Sequence, residues 1–234
     1  MAATVRSTGA GNSSTNAVTS FSPPMPAGFV AGDLLIGIAC NGGGDVPATR
    51  PSGITTLNNI DDGTTFNMDV VRKIAVGGEV WTWTTTTARR WAGCVIAITA
   101  GTFDAATPIT GNAPSIQGST SDTLYTTATS TPANADSLII AAFGSGVTVT
   151  WSTTNTAPTM TEICDTASSG TAPTSLAVFR SNTPPAIGAM TRSAVQTTGS
   201  PNGGDFICFI NPGSGGGGGT ILRRPRARPP QFRR

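Results

Sequence analysis

Apolar residues along this chain come in short runs set apart by glycine, proline, asparagine and aspartate. The clearest cover residues 34–40, 94–99, 138–143 and 206–210. Runs of this length with such boundaries predict strands, and the lack of polar alternation inside them predicts strands covered on both faces. Val80-Trp81-Thr82-Trp83-Thr84-Thr85 instead alternates aromatic with threonine, the pattern of a strand with one dry and one wet face. No helix-length window shows helical periodicity, and the frequency of glycine, proline and β-branched residues opposes one.

The runs also repeat. Gly32-Asp33-Leu34-Leu35-Ile36-Gly37-Ile38-Ala39 is echoed by Ala135-Asp136-Ser137-Leu138-Ile139-Ile140-Ala141-Ala142. Pro51-Ser52-Gly53-Ile54-Thr55 is then answered by Pro158-Thr159-Met160-Thr161, and two strand-like pieces ending in Arg72 and Arg180 follow. Gly93-Cys94-Val95-Ile96-Ala97-Ile98 is finally matched by Asp205-Phe206-Ile207-Cys208-Phe209-Ile210, and aligning Asp33 with Asp136 gives an offset that drifts from 103 to about 112 residues. A slowly growing offset is what loop insertions in a duplicated fold produce. The expected architecture is all-β: a jelly-roll-like antiparallel β-sandwich over residues 1–212, with pseudo-repeated halves at about 29–112 and 133–212.

Local signals fill in the connections. Ser22-Pro23-Pro24-Met25-Pro26-Ala27-Gly28 bars a helix, so residues 1–28 read as an edge strand and an extended lead-in. Asn41-Gly42-Gly43-Gly44-Asp45 predicts a loop permissive for positive φ. Residues 116–131 read as polar strand or loop with Leu124-Tyr125 turned inward. Gly144-Ser145-Gly146 predicts a hairpin turn between 138–143 and 147–151. After Pro212 the composition changes: residues 213–219 form a glycine-rich linker, and 220–234 an Arg/Pro-rich extended tail.

Charge sharpens that division. Arg223, Arg224, Arg226, Arg228, Arg233 and Arg234, six of the 14 basic residues, fall in the last twelve positions with no acid among them, leaving eight basic against 12 acidic residues upstream. Electrostatic attraction therefore belongs to the tail. It reads as a solvated end, as a docking strap for a neighbouring subunit, or as a contact to nucleic acid. Ile221, Leu222 and Phe232 point to a protein groove, because apolar anchors at both ends of a basic run suit a groove better than a phosphate rail.

Candidate chemistry is thin. The chain has no histidine, which excludes Ser-His-Asp and Cys-His nucleophile systems and the usual histidine-bearing zinc sites. Neither GxSxG nor GxxxxGK[ST] occurs. No catalytic residue, cofactor or metal is assigned, and the chain reads as a non-enzyme. The oxygen-rich segment Asn58 to Gly63, with Asn67 and Asp69, misses the EF-hand register, and Asx-turns account for the same residues. Cys40, Cys94, Cys164 and Cys208 lack metal-ligand spacing and read as buried reduced thiols, with an inter-strand disulfide as the alternative. Trp81, Trp83 and Trp91 suit either a glycan-stacking platform or a sandwich core. Arg89-Arg90 reads as a solvated turn beside Trp91, with an anion ligand as the alternative. Residues 1–12 lack the apolar centre of a signal peptide, and Asp33, Asn41 and Asp136 interrupt the apolar runs short of membrane-spanning length. The expectation is a protein made in a cytoplasm, with no membrane partner.

One resemblance covers residues 20–212. Met25-Pro26 in the lead-in, the segment from Phe29 to Ile36, Pro51 to Thr55, Trp81 to Trp83, Ala92 to Ile98 and Pro108-Ile109 follow an order that resembles a β-sandwich virion protein family of tailed phages of actinobacteria. Ile54 stands where members of that family typically carry tryptophan, and the basic tail lies outside the likeness. The resemblance implies a virion location and a minor tail or capsid decoration role. It further implies other virion proteins as partners and a homo-oligomer, for which a trimer is the expectation. It carries no catalytic residue over to this chain. The alternatives are a carbohydrate-binding module using the tryptophans and a nucleic-acid-contacting packaging accessory using the tail.

Overall fold

The computed structural model describes residues 1–117, 122–155, 157–200 and 202–213, and every regular element among them is a strand. The first seven are β1 (Val5–Thr8), β2 (Asn12–Ser13), β3 (Val18–Phe21), β4 (Leu34–Gly42), β5 (Thr55–Asp61), β6 (Phe66–Ile74) and β7 (Trp83–Ile98). The other eight are β8 (Ile109–Gln117), β9 (Asp122–Thr126), β10 (Leu138–Ser145), β11 (Trp151–Thr153), β12 (Met160–Ala167), β13 (Ser175–Ser181), β14 (Ser193–Ser200) and β15 (Gly203–Ile210).

The expected antiparallel β-sandwich forms, and each half of the repeat supplies its own sheet. The first sheet runs β1-β7-β4-β6-β5 and the second β8-β15-β10-β13-β12, the same order built from successive halves of the chain. The pairing partners correspond as well. Gly37 sits between Val71 and Val95, and Ala141 sits between Phe179 and Ile207. The boundary between halves therefore falls between Ile98 and Ile109: β1–β3 carry the first half back before residue 29, and β8–β9 belong to the second half, which takes residues 109–112 from the first and starts well before 133.

This correspondence corrects the alignment of the sequence copies. Asp33 N–H donates to Val30 O at 3.1 Å, and Ser137 N–H donates to Asn134 O at 3.3 Å, so the equivalent of Asp33 is Ser137 and not Asp136. Matching the two aspartates shifts a strand by one residue, which would turn every side chain to the opposite face. The true offset keeps Leu34, Ile36, Ile38, Leu138, Ile140 and Ala142 together in one core.

Three apolar layers result. The central one, between the sheets, takes alternate residues of β4, β6 and β7 and of β10, β13 and β15. The intervening residues face outward into two further cores. Leu35, Ala39 and Val95 pack under Phe21, Trp81, Trp83 and Trp91. Ile139, Phe143, Phe179 and Phe209 pack under Tyr125, Trp151 and Ala194. Both central strands are thus covered on two sides, which is why they read as unbroken apolar runs. The covers correspond: β3 pairs the first half of β7, while β9 and β11 flank β14.

Three local expectations change. Gly144-Ser145-Gly146 is not a hairpin turn, because β10 runs through Ser145 and pairs β13 and β15, never β11. Gly144 is needed for close approach instead: a Cβ there would lie 2.5 Å from Phe66 Cζ of the opposing sheet. Leu124 points to solvent while its neighbour Tyr125 is buried. Arg89 and Arg90 lie within β7 and form no turn. The glycine loop after β4 does use positive φ, 114° at Gly43 and 68° at Gly44.

Candidate functional site

The indoles are enclosed. Trp81, Trp83 and Trp91 are 1 %, 0 % and 0 % exposed, so no ring face is open to a sugar and the stacking platform is ruled out at these residues. Trp83 Nε1–H donates to Asp69 Oδ2 at 2.8 Å, and Trp91 Nε1–H to the Val18 carbonyl at 3.2 Å. Phe21 stacks on Trp91 with centroids 5.6 Å apart, and Trp81 meets Trp83 edge to face. Gly37 of β4 makes room for this pair, since a Cβ there would lie 2.4 Å from Trp81.

The fully buried carboxylates Asp33 and Asp69 are spent on the fold. Asp33 accepts from Arg6 Nε at 2.7 Å, Arg6 Nη2 at 3.1 Å, Val30 N–H at 3.0 Å and Ala100 N–H at 2.8 Å. Burial pushes its carboxyl up, but these four donors outweigh that and hold it below the usual 3.8. Asp69, fully buried, takes Trp83, Arg50 and Asn59, and Asn59 and Asn67 exchange amide bonds at 3.1 Å beside it. In a body with eight basic residues upstream of the tail, the signal for these pairs was their scarcity: a buried charge in apolar surroundings needs a partner. Sequence spacing did not say which.

The acidic loop is turn chemistry. Asp62 Oδ1 accepts from the N–H groups of Thr64, Thr65 and Phe66 at 2.9, 2.7 and 2.9 Å, and Asp61 Oδ1 from Gly63 N–H at 2.8 Å. Among the described residues no three metal-ligating acidic, cysteine or histidine groups come together. Arg89 is not a free anion ligand either, because Asp45 holds it through Nε at 2.9 Å and Nη2 at 2.8 Å. Arg90 donates to the Thr15 carbonyl. All four cysteines are buried free thiols. Burial raises Cys208, and Cys164 together with burial raises Cys94, so neither is a nucleophile near neutral pH.

The tail residues Ile221, Leu222, Arg223, Arg224, Arg226, Arg228, Phe232, Arg233 and Arg234 lie outside the described residues, as does most of the linker. Its root is described. Gly213 N–H donates to Thr102 O at 2.9 Å, its own carbonyl accepts from the Met1 amino group at 3.3 Å, and Pro212 bridges Phe103. Gly213 is thus held at a fixed point beside the first strand.

Comparison with known proteins adds no family: no protein-family model matches the chain, and no curated protein or solved structure does either. No described helix is long and apolar enough to cross a membrane.

Proposed function

We propose that this chain is a non-enzymatic structural component of a tailed-phage virion, a minor tail or capsid decoration protein, fastened to neighbouring subunits by residues 220–234. The supporting observation is the stitched root at Gly213. A glycine linker and a six-arginine ribbon follow Gly213 in sequence, on a body whose tryptophans and thiols are buried. Proteins of this kind work as symmetric copies, and a ribbon on such a linker reaches an adjacent copy; a trimer is the assembly we assign. The burial of the tryptophans weighs against a glycan reader.

Deleting residues 214–234 tests the attachment. Gly213 stays in place because it belongs to the body. The truncated chain should fold with an unchanged melting temperature and fail to incorporate into particles. Incorporation at the full-length level would overturn the reading. If phosphates were the true partner, the full chain would bind duplex DNA with an affinity falling steeply as salt rises.

A further inference from the structure

The lateral edges of the two sheets are not closed alike. At the β5 and β8 edges, Asn112 Nδ2–H donates to the Leu57 carbonyl at 2.8 Å and Asn58 Nδ2–H donates to Asn112 Oδ1, so side chains join the two sheets. At its other end the second sheet stops at β12, whose eight residues pair β13 and no other strand among the described residues. One side of its backbone is therefore open to a further strand. The first sheet stops at β1, which is four residues long and carries Arg6.

The open strand is acidic. Glu162 stands opposite Phe179 and Asp165 opposite Ala177, on either side of the irregularity between Glu162 and Cys164. Phe179 and Ala177 both belong to the outer core, so the two carboxylates share that face of the sheet. Among the described residues the ion pairs use Asp33, Asp45, Asp69 and Glu79, and neither Glu162 nor Asp165 meets a cation. Asp165 accepts one hydrogen bond, from Trp151 N–H at 3.0 Å, and Glu162 is exposed. Pairing one β12 with another would set these like charges against each other, so the edge suits a cationic strand and not its own copy.

A segment of opposite charge is written in the same chain. Thr220-Ile221-Leu222-Arg223-Arg224 offers five backbone N–H groups ahead of Pro225, which would end a pairing. Strand alternation would set Leu222 with Arg224 on one face and Ile221 with Arg223 on the other, so either orientation brings an arginine and an apolar side chain to the acidic face. The chain from Gly213 to Thr220 spans up to about 25 Å, enough to reach an adjacent body. We propose that residues 220–224 of a second copy add as a strand to the open edge of β12, with Arg223 or Arg224 on Glu162 and Asp165. This rests on the tail-attachment reading and names the surface that receives the tail.

The test is sedimentation velocity of the full chain at up to about 0.1 mM, with amide hydrogen exchange of β12 read on the same samples. The wild type should self-associate, more weakly as salt rises, and association should slow exchange at β12. E162K should weaken association about ten-fold and E162Q less, both with unchanged melting temperatures because Glu162 is exposed. R223E/R224E should abolish it. Mixing E162K with R223E/R224E should restore part of the loss, since each supplies the strand that the other's edge accepts. A wild type that stays monomeric at about 0.1 mM would overturn the proposal and leave the carboxylates as guards of a bare edge. Exchange at β12 that is slow in a monomer and quickened by R223E/R224E would mean that the tail docks on its own body, which overturns the second copy as occupant. Association lost in R223E/R224E but intact in E162K, with β12 unprotected, would overturn β12 as the receiving edge and leave the tail-attachment reading standing. Association indifferent to R223E/R224E would overturn the proposal too, while attachment to the particle is still judged by the incorporation of the chain lacking residues 214–234.

Discussion

The guanidinium of Arg50 closes on the buried carboxylate of Asp69, with Nε 2.9 Å from Oδ1 and 3.0 Å from Oδ2, and Nη2 2.8 Å from Oδ1. The pair ties the loop before β5 to the centre of β6, and through Trp83 to the start of β7. Truncating the arginine leaves a buried negative charge with only the neutral Trp83 and Asn59 donors. R50A should therefore lower unfolding free energy by about 3 kcal/mol in urea titration. R50M/D69N should lose less, because no charge is left unpaired. A neutral R50A would show that Asp69 needs only its Trp83 and Asn59 bonds.

Stability should fall on the acid side in a manner traceable to Asp33 and Asp45. For Asp45 the hydrogen bonds from Arg89 outweigh burial, and its carboxyl lies below the usual 3.8 when folded; Asp33 is lowered too. A carboxyl depressed by folding contributes stability that is complete above its unfolded value and lost as pH falls from about 3.8 through the lower folded value. Urea midpoints measured against pH should drop in that window, and D45N should flatten the drop. Glu162 and Asp165 have the opposite sign. Burial raises both, with Asp165 adding to Glu162, so they oppose folding once ionised. E162Q/D165N should raise the midpoint at neutral pH and leave the acid limb alone.

Gly144 should tolerate no side chain. An added Cβ meets Phe66 Cζ at 2.5 Å and Cys40 Sγ at 3.0 Å across the central core. G144A should cost about 1–3 kcal/mol by overpacking, and shortening the opposing ring in G144A/F66L should recover part of it. A hairpin-turn role would give the reverse pattern, with F66L adding to the damage.

Thiol accessibility gives a direct check on the interior. Cys40, Cys94, Cys164 and Cys208 are buried and free, so a thiol reagent should react with none of them in the native protein and with four after denaturation without reductant. Two reactive thiols in the denatured protein would mean that the other two are joined in a disulfide.

Much of this architecture is legible in the sequence because burial leaves a simple mark on it. The unbroken apolar stretches of β4 and β10 announce two covered faces, and the spacing of Trp81 and Trp83 announces one dry face. What the sequence hides is register and partnership. Two aspartates at similar places, Asp33 and Asp136, invite alignment, yet the hydrogen bonds that define their surroundings equate Asp33 with Ser137. Gly144-Ser145-Gly146 carries turn composition, but glycine serves close packing as well as tight turns, and only the opposing Phe66 tells them apart. Arg89 resembles solvated charge until Asp45, distant in sequence, is brought beside it.

Each sheet drawn entirely from one half has a covalent consequence. The passage through residues 99–108 joins two bodies that already cover each other's inward faces, as protomers of a dimer would. A protease nick there should leave both fragments associated under native conditions, and mixing the separated pieces should rebuild the sandwich without the tether.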